Sequence, residues 1–296
     1  MSSTVSVCIC TYKRPKLLGR ALAELEKQHT GGKFTFSIVI ADNDRHQSSK
    51  SVVDAFRAGS LIETTYCVEP EQNIALARNK ALENATGNYV AFIDDDEFPA
   101  ADWLAALVHA CENYGADGVL GPVMPWFDEP PPKWIIQGKF CERPQLSTGV
   151  VLEWKQTRTG NVLFRRQLLR DLQPSFRREF GNGGEDQDFF RRLIEKGRTF
   201  IWCNEAIVYE VVPPERWKRS YMFRRALLRG QNERLFLTPG SIGKSVLAVF
   251  VYAVILPFTL LLPHHIPMNY AVRFLDHFGK LLAAIGLRPL GEKYLS

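Results

Sequence analysis

Apolar residues in the first part of the chain follow two alternating patterns. Short runs rich in β-branched and aromatic residues cover positions 5–10, 34–40, 62–68 and 89–93. Apolar residues at the helical spacing follow each run, first after Pro15 and then near 49–58, 74–83 and 102–111. Regular alternation of strands and helices predicts an α/β fold with a mainly parallel sheet and helices on both faces.

The pattern changes beyond residue 215. Positions 216–234 combine seven basic residues with aromatic and aliphatic ones, which predicts a basic amphipathic helix suited to an anionic membrane surface or a lipid diphosphate. Positions 245–262 carry no charge and are nearly all apolar. We therefore predict two regions, a catalytic domain at 1–215 and a membrane-associated helical region at 216–296.

The uncharged segment at 245–262 allows three interpretations. It is long enough to span a bilayer, but Pro257, Pro263 and Pro267 also favour a kinked or re-entrant hairpin. A buried core helix of a soluble protein is the third possibility. Basic residues on both sides of the segment favour a return to the cytoplasmic side.

Composition narrows the class of protein. The chain has 296 residues, of which 46% are hydrophobic, so it can bury a large core. Its net charge of +5 is too modest to indicate a nucleic-acid binder. The six cysteines form no Cys-x-x-Cys pair and no secretory signal is visible, so we expect no zinc site or disulfide framework and a cytoplasmic location.

Polar residues follow three of the predicted strands, at positions 11–12, 42–44 and 94–96. In sheets of this type ligands bind at the carboxyl ends of the strands, so these clusters are predicted to meet at one edge. No glycine precedes Gly19 after the first strand, which argues against a dinucleotide-binding loop.

The acidic run at 94–97 is the strongest chemical feature of that edge. Four like charges directly after a buried-type strand repel one another and favour a divalent cation such as Mg²⁺ or Mn²⁺, which would neutralise a diphosphate. A solvated loop or a helix cap is the alternative. A second acidic run at 183–188 opens an amphipathic helix, where acids also complement the helix dipole. Its glycines would allow close approach of a substrate, and a carboxylate there could act as a general base.

Four motifs in this order resemble family 2 inverting glycosyltransferases of the GT-A fold. They are the opening residues 5–15, the pair Arg78 and Asn79 in the helix that starts near 73, the run 94–96, and residues 184–186. The order and spacing fit over roughly positions 4 to 215. Within the family, the chain most resembles bacterial exopolysaccharide transferases of the succinoglycan-biosynthesis type.

The resemblance implies a donor site for a UDP-sugar. Thr11, Tyr12 and Asp42 would line the uracil pocket, and Arg78 would reach the base or the phosphates. The alternatives are structural: Tyr12 packs, Asp42 caps a turn, and Arg78 pairs with a nearby acid.

The resemblance also assigns roles to the acids. Asp94 and Asp95 would belong to the donor site, with Asp94 contacting the ribose or, through water, the metal. Asp96 would ligate Mn²⁺ or Mg²⁺, and Asp186 would be the catalytic base that takes the proton of the acceptor hydroxyl. Many relatives place a late histidine at the metal where this chain offers Glu210, which could serve as a metal ligand or pair with Arg216.

Two other positions carry weaker hypotheses. Asn161 lies where relatives contact the donor sugar, with a turn residue as its alternative. The proline-rich segment 124–144 is predicted to lack regular structure, and its Trp126 and Trp134 would either contact the acceptor or belong to a structural surface loop.

The implied function is inverting transfer of a hexose to a hydroxyl of a lipid-linked saccharide in bacterial surface polysaccharide synthesis. The expected location is the cytoplasmic face of the inner membrane. A non-catalytic membrane-bound protein that binds nucleotide sugars or glycans is an alternative. A sugar-nucleotide nucleotidyltransferase is less favoured, because it would need a glycine-rich loop after the first strand. The pattern indicates no oligomeric state.

Overall fold

The computed structural model describes residues 3–181, 183–232 and 237–287. Part of the predicted region 216–296, including Arg234, therefore lies outside the described residues. Contacts group the described residues into two compact units, those within 1–124 and 143–210, and those within 125–142 and 211–295. The segment 125–142 thus groups with the C-terminal helices, whereas the sequence pattern places it in the first domain. The predicted boundary itself stays a prediction.

The first unit contains the alternating strands and helices that the apolar pattern predicts over positions 5–111, together with further strands and helices. In chain order they are β1 (Ser3–Thr11), α1 (Pro15–Leu25), β2 (Phe34–Asp42), α2 (Lys50–Gly59), β3 (Thr64–Val68), α3 (Ile74–Asn84), β4 (Tyr89–Phe92), β5 (Glu97–Pro99), α4 (Trp103–Asn113), β6 (Gly118–Leu120), β7 (Val123–Trp126), β8 (Val162–Arg165), α6 (Glu185–Glu195), β9 (Phe200–Trp202) and β10 (Val208–Val211). Helix α5 (Lys133–Gln137) belongs to the second unit. Short 3₁₀ turns cover Trp154–Gln156, Arg166–Asp171, Arg178–Phe180 and Pro214–Trp217.

A seven-stranded sheet in the order β3-β2-β1-β4-β8-β6-β9 forms the centre of the first unit. Strand β1 is parallel to both β2 and β4, whereas β8 is antiparallel to β4 and β6. The mainly parallel sheet is therefore confirmed, with β8 as the inserted exception. Strands β5, β10 and β7 form a separate three-stranded sheet.

Two apolar clusters cover the two faces of the large sheet. Val7 on β1 packs in one cluster with Leu22 of α1 and Trp103 of α4. Its neighbour Cys8 belongs to the other cluster, together with Phe189 of α6. Successive side chains of a strand point to opposite faces, so this alternation confirms that helices cover both sides.

The second unit is mainly helical in its described part, and it also includes the last residues of β7 and β10. It contains α5, α7 (Arg219–Asn232), α8 (Pro239–Thr259) and α9 (His265–Ala284). Ser245 bonds to His277 at 3.1 Å, and the rings of Tyr252 and Tyr270 lie 5.9 Å apart. These pairings make α8 and α9 an antiparallel hairpin, with Pro257 inside the last turn of α8.

Helix α5 corrects one expectation about the segment 124–144. The prolines there do not prevent regular structure, because Pro132 occupies the cap position before the first turn, where no backbone N–H is needed. Trp134 of α5 packs against the rings of Phe140 and His264, with centroids 5.3 and 4.8 Å away. These contacts agree with the structural alternative for Trp134.

Helix α8 exposes its apolar side chains. Within the described ranges it is the one helix long and apolar enough to cross a membrane, by length and composition. Phe250 and Phe258 are 68% and 76% exposed.

Candidate active site

Three predicted polar clusters meet at the carboxyl edge of the large sheet. Thr11 ends β1 in register with Asp42 at the end of β2. The Thr11 hydroxyl donates a hydrogen bond of 2.8 Å to Asp95, which follows β4. The parallel pairing of these strands brings together residues far apart in sequence, and their roles in donor binding stay predictions.

Tyr12 lies next to Thr11 and is half-buried. The ammonium group of Lys13 lies 5.0 Å from the centre of its ring. Lys13 adopts a φ of 56°, a left-handed conformation that turns the chain from β1 toward α1. Tyr12 therefore lies at the predicted edge, and contact with uracil stays a prediction.

Asp42 is buried and organises the loop after β2. Its carboxylate accepts hydrogen bonds from the backbone N–H groups of Asp44 and Ser49, both at 3.0 Å, and from the Tyr66 hydroxyl at 2.8 Å. Burial raises the pKa of Tyr66, and the bond to Asp42 adds to the shift. These contacts match the turn-capping alternative. The buried carboxylate stabilises the loop after β2 at the edge of the sheet.

Arg14 is a site residue to which the sequence analysis assigned no role. Its guanidinium donates to Asp95 at 3.0 Å and to Asp96 at 3.2 Å. Burial raises the pKa of the Asp95 carboxyl to about 6, although Arg14 beside it acts in the opposite direction. The residue was visible in the opening motif, but only the fold brings it to the acidic run.

A glycine allows two acids of the run to lie close together. A Cβ at Gly160 would lie 2.9 Å from a Glu97 carboxylate oxygen and 3.0 Å from one of Asp94. The backbone N–H of Asp94 donates to Glu97 at 3.1 Å. Burial raises the pKa of Glu97 well above its usual range, and Asp94 adds to the increase. Any larger residue at 160 would therefore displace these carboxylates.

Glu210 lies opposite Glu97 in the antiparallel pairing of β10 with β5. Its carboxylate pairs with Arg143, another residue to which the sequence analysis assigned no role. Burial lowers the pKa of Arg143, but Glu210 and the other acids outweigh burial and raise it. Glu210 thus has a basic partner, which is Arg143. Its pairing with Arg216 stays a prediction.

Arg78 links the acidic run to the second acidic motif. Asn73 caps α3 by accepting a bond of 3.2 Å from the N–H of Leu76, which sets Arg78 in the next turn. Arg78 is buried and forms ion pairs with Asp94, at 3.6 Å, and with Glu185. Pairing with a nearby acid was its predicted alternative, and its role toward the donor stays a prediction.

Two of the acids that open α6 are neutralised by arginines. Glu185 pairs with Arg78. Asp188 is fully buried and accepts hydrogen bonds of 2.9 Å from the Nε atoms of Arg177 and Arg192. These two carboxylates therefore have structural partners.

Asp186 differs from its neighbours on α6. It is half-buried, and within the described part of the chain it makes no ion pair shorter than 4.0 Å. Its carboxylate accepts a bond of 2.7 Å from the N–H of Gln187. Gly184, with a φ of 88°, turns the chain directly before the helix. Among Glu185, Asp186 and Asp188, Asp186 is therefore the one that forms no ion pair with an arginine of the described residues.

Asn161 lies inside the protein. It has a φ of 63° and is fully buried. Its amide accepts from the Trp103 indole at 2.7 Å and donates to the carbonyls of Pro122 and Ala206 at 2.8 and 2.7 Å. The amide links its own turn to α4 and to the loops at Pro122 and Ala206, which matches the structural alternative for this residue.

The residues suit a divalent cation by their chemistry. The acids Asp94, Asp95, Asp96, Glu97 and Glu210 offer hard oxygen ligands. Burial raises the pKa values of Asp95 and Glu97, and the neighbouring acids add to the increase. Among the described residues, however, no three acidic, histidine or cysteine side chains are arranged to hold an ion. The metal role of Asp96 and Glu210 stays a prediction.

Comparisons with known proteins agree with this arrangement. The family described as Glycosyl transferase family 2 matches residues 6–174. The succinoglycan biosynthesis protein ExoM of Rhizobium meliloti (strain 1021) is 33% identical over 243 residues, which cover 81% of this chain and 77% of that protein. The glucosyl-dolichyl phosphate glucuronosyltransferase of Haloferax volcanii is 30% identical over 214 residues, 69% of this chain and 61% of that protein.

Solved structures show the same fold. TarS 1-349 of S. aureus in complex with UDP-GlcNAc matches with a TM-score of 0.55 at 18% identity, over 97% of this chain and 93% of that one. GalNAc-T7 with UDP, GalNAc and Mn²⁺ matches with a TM-score of 0.55 at 15% identity, over 75% of this chain and 47% of that one.

Proposed function

This chain belongs to glycosyl transferase family 2, and on that premise we propose that it transfers a hexose from a UDP-sugar to a hydroxyl of a lipid-linked saccharide, with inversion. The family resemblance drawn from the motifs is confirmed. The proposal places the reaction in bacterial surface polysaccharide synthesis, since the similar protein ExoM is named for succinoglycan biosynthesis. The observation that carries it is Asp186, which makes no ion pair within 4.0 Å among the described residues, although Glu185 and Asp188 are both paired with arginines.

The donor would bind at the edge where Thr11, Asp42 and Asp95 meet. Thr11 and Tyr12 would contact the uracil, and Asp42 would hold the loop that surrounds it. Arg78 would bind the diphosphate, since its guanidinium lies at the acidic run beside Asp94 and guanidinium groups bind phosphate oxygens. The UDP and UDP-GlcNAc complexes of TarS, which shares this fold, support a UDP-sugar as the donor.

Asp96, with Asp94 and Glu210, would hold Mn²⁺ or Mg²⁺. When bound, the ion would supply positive charge that stabilises the departing diphosphate. Arg14 orients Asp95 and Asp96 through its two hydrogen bonds. Gly160 leaves room for Asp94 beside Glu97.

Asp186 would accept the proton of the acceptor hydroxyl. As the proton leaves, the hydroxyl oxygen forms a bond to the anomeric carbon, and the bond from that carbon to the diphosphate oxygen breaks on the opposite side. A single displacement of this kind inverts the anomeric configuration. Both the positioning of the two substrates and the proton transfer to Asp186 would increase the rate of transfer.

The second unit would hold the protein at the cytoplasmic face of the inner membrane. Helix α7 carries a series of basic residues, and α8 exposes apolar side chains such as Phe250 and Phe258. A basic helix in the same unit as an exposed apolar one suits an anionic lipid surface. A lipid-linked acceptor would be available at that surface.

The variant Asp186→Asn tests the catalytic role. We expect UDP binding, measured by calorimetry, to stay within about twofold of wild type, while transfer falls by about 10²–10⁴-fold, because a general base contributes that much. Glu195→Gln, an exposed position on the same helix, is the matched control. Transfer by Asp186→Asn at the wild-type rate would contradict the proposal and favour a non-catalytic binding protein.

Metal removal tests the cation site. EDTA should weaken UDP binding by about tenfold or more, and added Mn²⁺ should restore it, because a divalent cation links carboxylates to phosphates. Asp96→Ala should show the weak binding without restoration, whereas the exposed Asp54→Ala should behave as wild type. Unchanged UDP affinity after both treatments would count against a metal.

A further inference from the structure

Arg158 lies in a short segment that the fold of the first unit holds close to both acidic motifs. The segment begins at the 3₁₀ turn Trp154–Gln156, which lies close to α6, the helix of Asp186. It ends at Gly160, which adjoins the carboxylates of the acidic run, and the three hydrogen bonds of the buried Asn161 amide fix this end. The backbone around Arg158 therefore has a defined position in the candidate active site.

The protein itself satisfies the guanidinium of Arg158 only in part. Its Cζ lies 5.9 Å from the ring centroid of Trp202, a contact that attracts the cation without neutralising it. Its Nε is buried and has no hydrogen-bond partner in the part of the chain that the structure describes. Buried polar atoms without a partner are rare in folded proteins. The side chain as a whole is half-buried, so a ligand in the site could reach it.

The other arginines of the site differ from Arg158 in their partners. Arg14, Arg78 and Arg143 each form an ion pair with a carboxylate of the site. Arg158 forms no ion pair within 4.0 Å with any described residue. It is thus a positive charge at the site that the described side chains do not hold.

The charges around Arg158 come from both acidic motifs. Burial lowers the pKa of Arg158 to about 10, and the charge of Arg143 lowers it further, whereas Glu97, Asp186 and Glu210 act in the opposite direction. The guanidinium is therefore within electrostatic reach of the acidic run and of the proposed base. Because the pKa is lowered on balance, the three carboxylates do not offset the cost of burying this charge, and an anion bound beside it would.

We propose that Arg158 binds the sugar-linked phosphate of the donor and holds it as UDP departs. A guanidinium binds phosphate oxygens through charge-assisted hydrogen bonds, often in pairs. The sugar-linked phosphate is the phosphate nearest to the carbon that the acceptor attacks, so it is the one nearest to Asp186. Negative charge develops on this phosphate as its bond to the sugar breaks, and a guanidinium already in place would stabilise that charge. The inference rests on the proposed function and assigns one further residue to the same site.

Nucleotide binding tests which phosphate Arg158 contacts. Calorimetry in the presence of Mn²⁺ measures the affinity for UDP and for UMP, which lacks the second phosphate. We expect Arg158→Gln to lose about tenfold in UDP affinity, the value of one charge-assisted contact, and less than about twofold in UMP affinity. Arg158→Lys should recover part of the loss, because the positive charge is kept. Arg170→Gln, the same change at an exposed position of the first unit, should bind both nucleotides as the wild type does.

Three results would overturn the assignment. Equal losses of UDP and UMP affinity in Arg158→Gln would mean that the residue supports the nucleotide pocket as a whole. Unchanged UDP affinity, with weaker binding of UDP-glucuronic acid but not of UDP-glucose, would assign the guanidinium to a carboxylate of the sugar instead. Unchanged affinity for all four nucleotides would remove Arg158 from the donor site. Wild-type protein that binds no UDP would contradict the proposed donor itself, so failure of the proposed function is distinguishable from failure of this inference.

Discussion

The two units of the chain differ in the burial of their apolar side chains. In the first unit Phe189 is fully buried and its ring packs against Phe176 and Phe190, with centroids 4.6 and 5.1 Å away. In the second unit Phe250 and Phe258 of α8 are largely exposed. Burial of apolar surface drives folding of the first unit, whereas the same kind of side chain on α8 gains nothing from its own chain. The difference is the observation on which the proposed membrane association of α8 rests.

The charged residues show the same contrast. Asp188 of the first unit is fully buried between Arg177 and Arg192. The pair of Arg229 with Asp276 in the second unit is partly exposed, with the arginine side chain 52% accessible. Buried charges need partners to persist, while exposed pairs are screened by water. The first unit therefore holds its charges in defined positions, as a catalytic site requires.

The largest expected effect concerns the burial of apolar side chains. It is tested by comparing Phe189→Ala in the first unit with Phe258→Ala in the second. Loss of the buried ring should lower the free energy of unfolding by about 3–5 kcal/mol, because it leaves a cavity among packed rings. Loss of the exposed ring should change it by less than about 0.5 kcal/mol. Urea denaturation in mild detergent measures both values. Similar losses in the two variants would mean that α8 is packed inside the protein.

Asp188→Asn compared with Asp276→Asn applies the same test to charge. Asp188→Asn should cost about 3 kcal/mol of stability, since two arginines lose their buried partner. Asp276→Asn should cost less than about 1 kcal/mol, the usual range for an exposed pair. The measurement is again urea denaturation, repeated in high salt, which should reduce only the smaller effect. A larger loss for Asp276→Asn would reverse the comparison.

Asp95→Asn gives the smallest expected effect and depends on pH. The pKa of about 6 in the folded protein lies above the value of about 3.9 in an unfolded chain. From about pH 4 to about pH 6 the folded state therefore binds more protons, so the contribution of Asp95 to the free energy of unfolding falls as pH rises. We expect Asp95→Asn to stabilise the ligand-free protein by about 1 kcal/mol above pH 7 and to have no such effect near pH 4.

The control for this prediction is Asp54→Asn, the same change at an exposed position of α2. Thermal unfolding of both variants and the wild type across this pH range measures the difference. Stabilisation that is constant with pH, or a loss of stability above pH 7, would contradict the assignment of a raised pKa to Asp95.

Residues close together in sequence accounted for most of the correct predictions about the fold. The alternation of apolar runs predicted β1 to β4 and the helices between them, because strand and helix periods are local properties. The same alternation implied a parallel sheet whose edge would bring Thr11 near the acidic run, and the bond from Thr11 to Asp95 confirms that meeting. The inserted strand β8 and the short helix α5 were not predicted, since pairing and packing with distant segments produce them.

The sequence by itself determined the fold class, the family and which acids are candidates for ligand binding, because periodicity and motif order are properties of the sequence alone. Only the tertiary structure decided how those acids are held. Arg14 reaches Asp95 and Asp96 from across the sheet edge, Arg143 pairs with Glu210, and arginines neutralise Glu185 and Asp188 while Asp186 is left without an ion pair among the described residues. Partners far apart in sequence meet only when the chain is folded, and burial then makes their pairing obligatory.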